Sequence, residues 1–318
     1  MKTVVVLGAA GRAGDAAARA FVGAGWRVRG VARNEKAAQL ASGVEVLRAD
    51  AFDRDSLVAA CQGADVILNA LNPQYTEWAE KVMPMAENVA AAAQAVGATH
   101  MLVGNVYNYG YDIAVGTKED AEQMPSTEKA EIRIAMEALF REQAERHGVQ
   151  TIVLTAGDFY GGTKPQGWLD LIILSKLRKN IFMWGGPIDI PHAFAYLPDL
   201  GKAFVALAGK RGELGAFERF HFAGHTLTGL EMKAAAEAAS GRQLAMKGMP
   251  WVLLRAAGLF SPMMREIAKM SYLWRTPHSL DGSKLERTVG KLPATDPVDA
   301  IRQAIADLAL DDDQRMAA

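Results

Sequence analysis

The sequence predicts an α/β fold, a doubly wound parallel sheet with a smaller C-terminal α/β part covering it. Three observations carry this. Lys2-Thr3-Val4-Val5-Val6-Leu7 is a short apolar, β-branched run, as expected of a strand buried on both faces. It runs straight into Gly8-Ala9-Ala10-Gly11-Arg12-Ala13-Gly14, followed by an alanine-rich stretch, Asp15 to Ala24, closed by Gly25. Strand-like runs then alternate with helix-like stretches as far as Leu154, the rhythm of parallel strands joined by helical crossovers.

Each element follows from local composition. Arg27 to Ala32 reads as a second strand and Val44 to Leu47 as a third, closed by Arg48-Ala49-Asp50. Asp53 to Gln62 is a helix ended by Gly63, and Asp65 to Asn69 a fourth strand. Glu77 to Val96 has helical composition, with Pro84 as a predicted kink and Gly97 as its stop. Met101 to Val103 is a fifth strand, Ser126 to His147 a long helix stopped by Gly148, and Thr151 to Leu154 a sixth strand. Beyond it glycine and proline cluster at 161–167 and 185–191. His192 to Tyr196 (strand) and Pro198 to Ala208 (helix) are expected to return to the first sheet. This divides the chain into a dinucleotide-binding domain, 1–160 with 190–208 returning to it, and a substrate-binding part, 161–189 and 209–318. The polar tail from Asp311 is expected to fray.

The glycine turn is the strongest functional signal. Gly8 permits a tight turn, Gly11 lets backbone N–H groups approach a pyrophosphate, and Gly14 lets the helix pack close to the strand. Ala10, Arg12 and Ala13 line the same turn. Strand, glycines and helix stand together, which a bare glycine triplet does not offer. At the end of the second strand, NAD binders usually carry an acidic residue for the ribose hydroxyls. Here that end reads Val31-Ala32-Arg33-Asn34. The Arg33 guanidinium suits a 2′-phosphate, so NADP is expected rather than NAD, with Arg12 approaching from the other side.

Composition excludes several classes. Of 318 residues, 50% are apolar and 22% charged, and the net charge is −1 with no basic block, so no nucleic-acid or membrane partner is expected. Cys61 is the one cysteine, which rules out an intrachain disulfide and fits a reducing, cytoplasmic setting. His221 and His225 flank Ala223-Gly224 rather than sharing a helix face, so no metal is expected. The expected partner is a small-molecule substrate; a homodimer stays open.

Several stretches together resemble the extended short-chain dehydrogenases/reductases, the NAD-dependent epimerase/dehydratase family. These are the Gly8/Gly11/Gly14 triplet, Asp50-Ala51, Asn69-Ala70-Leu71, Val106-Tyr107-Asn108-Tyr109-Gly110, Thr155 to Gly161 and His192 to Leu200. The match covers roughly residues 1–210. It implies that Asp50 and Ala51 meet the adenine, and that Asn69, Ala70, Leu71 and Gly104 run along the cofactor. Two positions depart from the pattern. The catalytic serine or threonine falls at Asn105, and in place of Tyr-x-x-x-Lys stands Lys129-x-x-x-Arg133-x-x-x-Glu137. That helix is similar to the isoflavone-reductase-like, NmrA-like branch, which uses a lysine where others use tyrosine.

The resemblance implies Lys129 as acid/base, with Asn105 and Tyr107 positioning the reacting oxygen. Hydride delivery to a carbonyl requires a proton donor beside the nicotinamide. Asp158, at the carboxyl end of the sixth strand, is expected among the substrate residues with Tyr107, Phe159, Tyr160 and Trp168. The expected function is an NADP-dependent oxidoreductase acting on a small apolar or aromatic carbonyl compound or alcohol. Two alternatives stay open: a nucleotide-sugar epimerase or dehydratase with bound NAD(P), and a non-catalytic NADP sensor.

Overall fold

The computed structural model describes residues 1–32, 40–165 and 167–311. Among them, seven strands form one wholly parallel sheet: β1 (Thr3–Leu7), β2 (Arg27–Val31), β3 (Val44–Leu47), β4 (Val66–Asn69), β5 (Thr99–Asn105), β6 (Thr151–Ala156) and β10 (Phe217–Phe222). Their order is β3-β2-β1-β4-β5-β6-β10. The winding reverses between β1 and β4, so a crevice opens at the carboxyl ends of those strands. The central strands are apolar on both faces because helices cover both. One face packs Val5, Leu7, Ile67 and Leu102 against helices α2 (Arg54–Cys61), α3 (Trp78–Val96) and α4 (Glu128–His147). The other packs Val4, Val6, Leu68 and Leu154 against α1 (Arg12–Gly23) and α5 (Leu197–Lys210).

Caps end the helices where the sequence implies. Thr127 caps α4, its hydroxyl accepting the Ala130 N–H, and Gly148 closes it with a left-handed φ of +70°. Helix α3 runs continuously through Pro84 and stops at Gly97 in the same conformation, φ +68°.

Two placements differ from the sequence reading. Strand β9 (His192–Tyr196) does not join the main sheet. It pairs with β7 (Asp158–Tyr160) and antiparallel with β11 (His225–Leu227) in a small sheet. Of the 190–208 segment, it is α5 that packs back on the large domain, against α1, where a Cβ on Gly201 would stand 2.8 Å from the Ala16 carbonyl oxygen. Conversely, β10 lies inside the stretch read as substrate-binding yet forms the seventh strand beside β6. Its sequence, Phe-Glu-Arg-Phe-His-Phe, is broken by Glu218, Arg219 and His221, so it lacks the apolar run that marks β1, β4 and β6. The remaining elements form a third core around Phe182, Trp184, Trp251, Trp274 and Ile301. They are β8 (Ile181–Trp184), α6 (Gly229–Ser240), β12 (Ala245–Gly248), α7 (Trp251–Ala257), α8 (Pro262–Lys269) and α10 (Pro297–Asp307), whereas Leu285 of α9 (Ser283–Val289) packs into the core of α1 and α5. Among the described residues, no helix is long and apolar enough to cross a membrane.

Candidate active site

The glycine cradle stands at the switch point. Gly8 has φ +75°, and a Cβ there would meet the Ala70 carbonyl oxygen at 2.7 Å. Gly14 packs so tightly on the Gly8 carbonyl that any side chain would collide with it. Gly11 donates to the Gly8 carbonyl and caps α1, whose first intrahelical bond runs from Asp15 N–H to Gly11 C=O. The N–H groups of Arg12, Ala13 and Gly14 therefore precede the helical ladder and can face an anion, with the helix dipole behind them. The other wall is the end of β4. Asn69 is buried there, its amide oxygen accepting the Leu71 N–H, while Ala70 donates to the Leu7 carbonyl. A turn held open in this way fits a dinucleotide pyrophosphate.

Asp50 is exposed beyond β3 and accepts the Phe52 N–H. The Ala51 carbonyl accepts from Asn88. Arg33 lies outside the described residues. Arg12 differs from expectation: its guanidinium donates to the carbonyls of Phe159 and Lys164, at 3.2 and 3.3 Å. It fastens the 159–164 segment beside the cradle, and Thr163 ties the same segment to the buried Asp15. Burial lowers the Arg12 pKa, opposed by Asp170 and Asp158.

Beyond β5, Asn105 accepts the Tyr107 N–H and shapes the turn that aims Tyr107 inward. Gly104 permits β5 to approach β6, since a Cβ there would stand 2.9 Å from Thr155. The Tyr107 hydroxyl lies 2.7 Å from that of Tyr75. Burial raises the Tyr107 pKa well above its ordinary value, with Tyr75 and Asp158 adding to the rise.

Helix α4 presents Lys129, Arg133 and Glu137 on one buried face, four residues apart. Glu137 accepts from Asn108 and pairs with Arg219, a structural anchor for the helix. Arg133 donates to the Val103 carbonyl at 2.6 Å, and its Nε is buried without a partner among the described residues. Lys129 does not reach Tyr107 directly. Its ammonium pairs with Glu266 of α8 and lies 4.9 Å from the centre of the Tyr75 ring, whose hydroxyl in turn meets Tyr107. A cavity of about 100 Å³ lies on that side, lined by Tyr75, Lys129, Ile132, Pro262, Arg265 and Glu266 among others. Burial and the neighbouring Lys269 push the Lys129 amine down to about 8, against Glu128.

The substrate residues divide. Asp158 is nearly buried, and its carboxylate accepts from His192 Nε2 at 2.8 Å. Trp168 packs edge-on against Trp274, ring centres 5.2 Å apart, and Trp274 stacks on His192 at 4.9 Å. Phe159 packs partly into the α1–α5 core. Tyr160 is a correction: it is buried in the third core, its hydroxyl 2.5 Å from His225 Nδ1. Residues alternate sides along β7, so Tyr160 and Asp158 share a face. The sequence reading did not single out Tyr75, His192, Tyr272 or His278. The one signal for Tyr75 is its place in the loop beyond β4, where ligands gather in such folds.

The structure is a doubly wound parallel sheet with a glycine turn at its switch point. The model of the NmrA-like family matches residues 1–294, and the chain belongs to that family. Its fold is shared by solved UDP-sugar epimerases. A UDP-galactose 4-epimerase structure is 18% identical over 97% of this chain and 99% of its own, with a TM-score of 0.74. UDP-glucuronic acid 4-epimerase from Bacillus cereus, solved with UDP-glucuronic acid and NAD, is 15% identical over 96% and 98%, TM-score 0.74. UDP-glucose 4-epimerase from Thermotoga maritima, solved with UDP-glucose, is 13% identical over 96% and 98%, TM-score 0.76. At such identities the likeness is one of fold. No curated protein sequence matches the chain.

Proposed function

We propose that the protein is an NADP(H)-dependent oxidoreductase acting on a small aromatic carbonyl compound or alcohol. The observation that carries this is the juxtaposition of an anion-ready glycine cradle with a buried phenol pair, Tyr107 and Tyr75, at the same sheet end. Bound there, a nicotinamide cofactor supplies or takes up the hydride. The Arg12, Ala13 and Gly14 N–H groups hold its pyrophosphate, and the unpartnered Nε of Arg133 is a donor left for its ribose.

Tyr107 gives the proton to the reacting oxygen. Two features support it over Lys129: it lies close enough to Asp158 for that carboxylate to raise its pKa, and the Lys129 ammonium is already engaged by Glu266. A phenol held neutral by burial is a suitable donor to an alkoxide, and Tyr75 is placed to pass the proton on. Lys129 then acts as a positioning residue, holding the face of Tyr75. Trp168, half-buried and backed by Trp274, is the flat wall offered to an aromatic substrate.

The preference for NADP rests on Arg33 standing where NAD binders carry an acid. Dissociation constants for NADPH and NADH test it. NADPH should bind more tightly, and Arg33→Ala should weaken NADPH while sparing NADH; equal affinities would sink the claim. The second reading is a nucleotide-sugar epimerase with bound NAD, favoured by the fold likeness to UDP-sugar epimerases. Thermal stabilisation by UDP-sugars but not by aromatic ketones would select it. Tight cofactor binding without turnover of either class would select a sensor.

A further inference from the structure

Two buried polar atoms near Asp158 have no hydrogen-bond partner among the described residues: the Tyr272 hydroxyl and Nε2 of His278. His278 is wholly buried and Tyr272 nearly so. Their hydrogen-bonding characters can be assigned. His278 Nδ1 lies 2.7 Å from the Thr276 carbonyl oxygen, and only an N–H can face a carbonyl, so Nδ1 holds the proton. Burial, with His192 beside it, lowers His278 to about 4, so the ring is neutral near pH 7. Its Nε2 is then a bare lone pair that lacks a donor. The His192 ring packs against it at 4.5 Å between centres and itself meets the Asp158 carboxylate. Two acceptors, His278 Nε2 and the Asp158 carboxylate, thus stand near a phenol that can donate or accept. Buried atoms left unpaired cost free energy, and a bound ligand group that pairs with them recovers it.

We propose that Asp158, Tyr272 and His278 form a substrate subsite for a neutral hydroxyl group. The substrate O–H donates into this acceptor-rich corner, and the Tyr272 hydroxyl completes the set. This rests on the oxidoreductase reading and narrows its substrate to a hydroxylated carbonyl compound or alcohol. An apolar ring would leave both atoms unpaired, and a carboxylate or phosphate would meet acceptors of its own kind.

Calorimetric titration of the full chain tests it, with and without saturating NADP, using acetophenone, its 2-, 3- and 4-hydroxy isomers, and 4-acetylbenzoate. At least one hydroxy isomer should bind about tenfold more tightly than acetophenone, or better. The acetylbenzoate should bind no more tightly than acetophenone. Tyr272→Phe removes only an unpartnered oxygen, so it should fold normally and cut the preference to about threefold or less. His278→Phe should do the same; if it fails to fold, Tyr272→Phe decides alone. No binding by any probe, no hydroxyl preference, or a preference untouched in Tyr272→Phe would overturn the proposal and leave the two atoms to water. Cofactor binding without the preference would sink only the subsite. The preference without any cofactor affinity would sink the oxidoreductase reading and keep the subsite.

Discussion

The glycine cradle and the catalytic mouth beside it are built by opposite means. The cradle is backbone: one turn of seven residues, working through N–H groups that any sequence possesses once glycine permits the approach. The mouth is side chain: Tyr75, Tyr107, Lys129, Asp158, His192, Tyr272 and His278 arrive from separate segments spread over two hundred residues. The cradle tolerates change in its side chains and none in its glycines. The mouth reverses that, because each side chain is held by a partner from a distant part of the chain.

The largest effect should fall on the mouth. Tyr107→Phe should lower kcat by roughly 10²–10⁴-fold with cofactor affinity unchanged, the range for losing a general acid. Lys129→Met should cost about tenfold or less, through the loosened Tyr75. If Lys129→Met abolishes turnover while Tyr107→Phe retains it, the two roles must be exchanged.

Acid should then loosen the mouth while leaving the cradle's backbone contacts alone. The His278 pKa is lowered to about 4 by burial, so between pH 6.5 and 4 the unfolded chain takes up a proton that the folded chain refuses. The stabilisation is complete above pH 6.5 and is lost as pH falls toward 4, by up to about 3 kcal/mol. His100, lowered to about 3 by burial, adds in the same direction. Melting temperature followed from pH 7.5 to 4.5 should fall, and less so in His278→Phe. A flat profile would remove this distinction between the two regions.

Gly14→Ala probes the cradle. Its methyl group would collide with the Gly8 carbonyl, so helix and strand must part, at about 1–3 kcal/mol. Cofactor dissociation should rise by one to two orders of magnitude, with a lower melting temperature. Unchanged affinity would place the cofactor elsewhere. The smallest effect is expected at the join. Arg12→Ala frees the carbonyls of Phe159 and Lys164, worth about 1 kcal/mol. KM should rise roughly fivefold while kcat holds, and the 159–164 segment should be cleaved faster by protease.

Legibility in the sequence followed the same division. The strands β1, β4 and β6 were readable because burial on both faces demands unbroken apolar runs, and the helix stops at Gly97 and Gly148 because each answers a local backbone need. The edge strand β10 was hidden by the polar residues that break it, Glu218, Arg219 and His221, and β9 looked like a further strand of the large sheet because a strand's composition does not name its neighbours. Tyr160 looked exposed to substrate from its motif, yet a partner at His225, sixty-five positions on, draws it into another core.

What the sequence determined alone was whatever short-range physics decides: the strand, the glycine turn, the helix dipole behind it, and the placing of Lys129, Arg133 and Glu137 on one helix face. What only the tertiary structure decided was which of those side chains meet. Lys129 stands at the expected position but is turned to Glu266 and the face of Tyr75. Asp158 acquires its histidine from β9 and its phenol neighbours, Tyr75, Tyr107 and Tyr272, from three separate segments. The spacing of residues along a helix is a property of the backbone. Their partners across the crevice are set by how distant segments pack, and one sequence read by itself contains no distance between them.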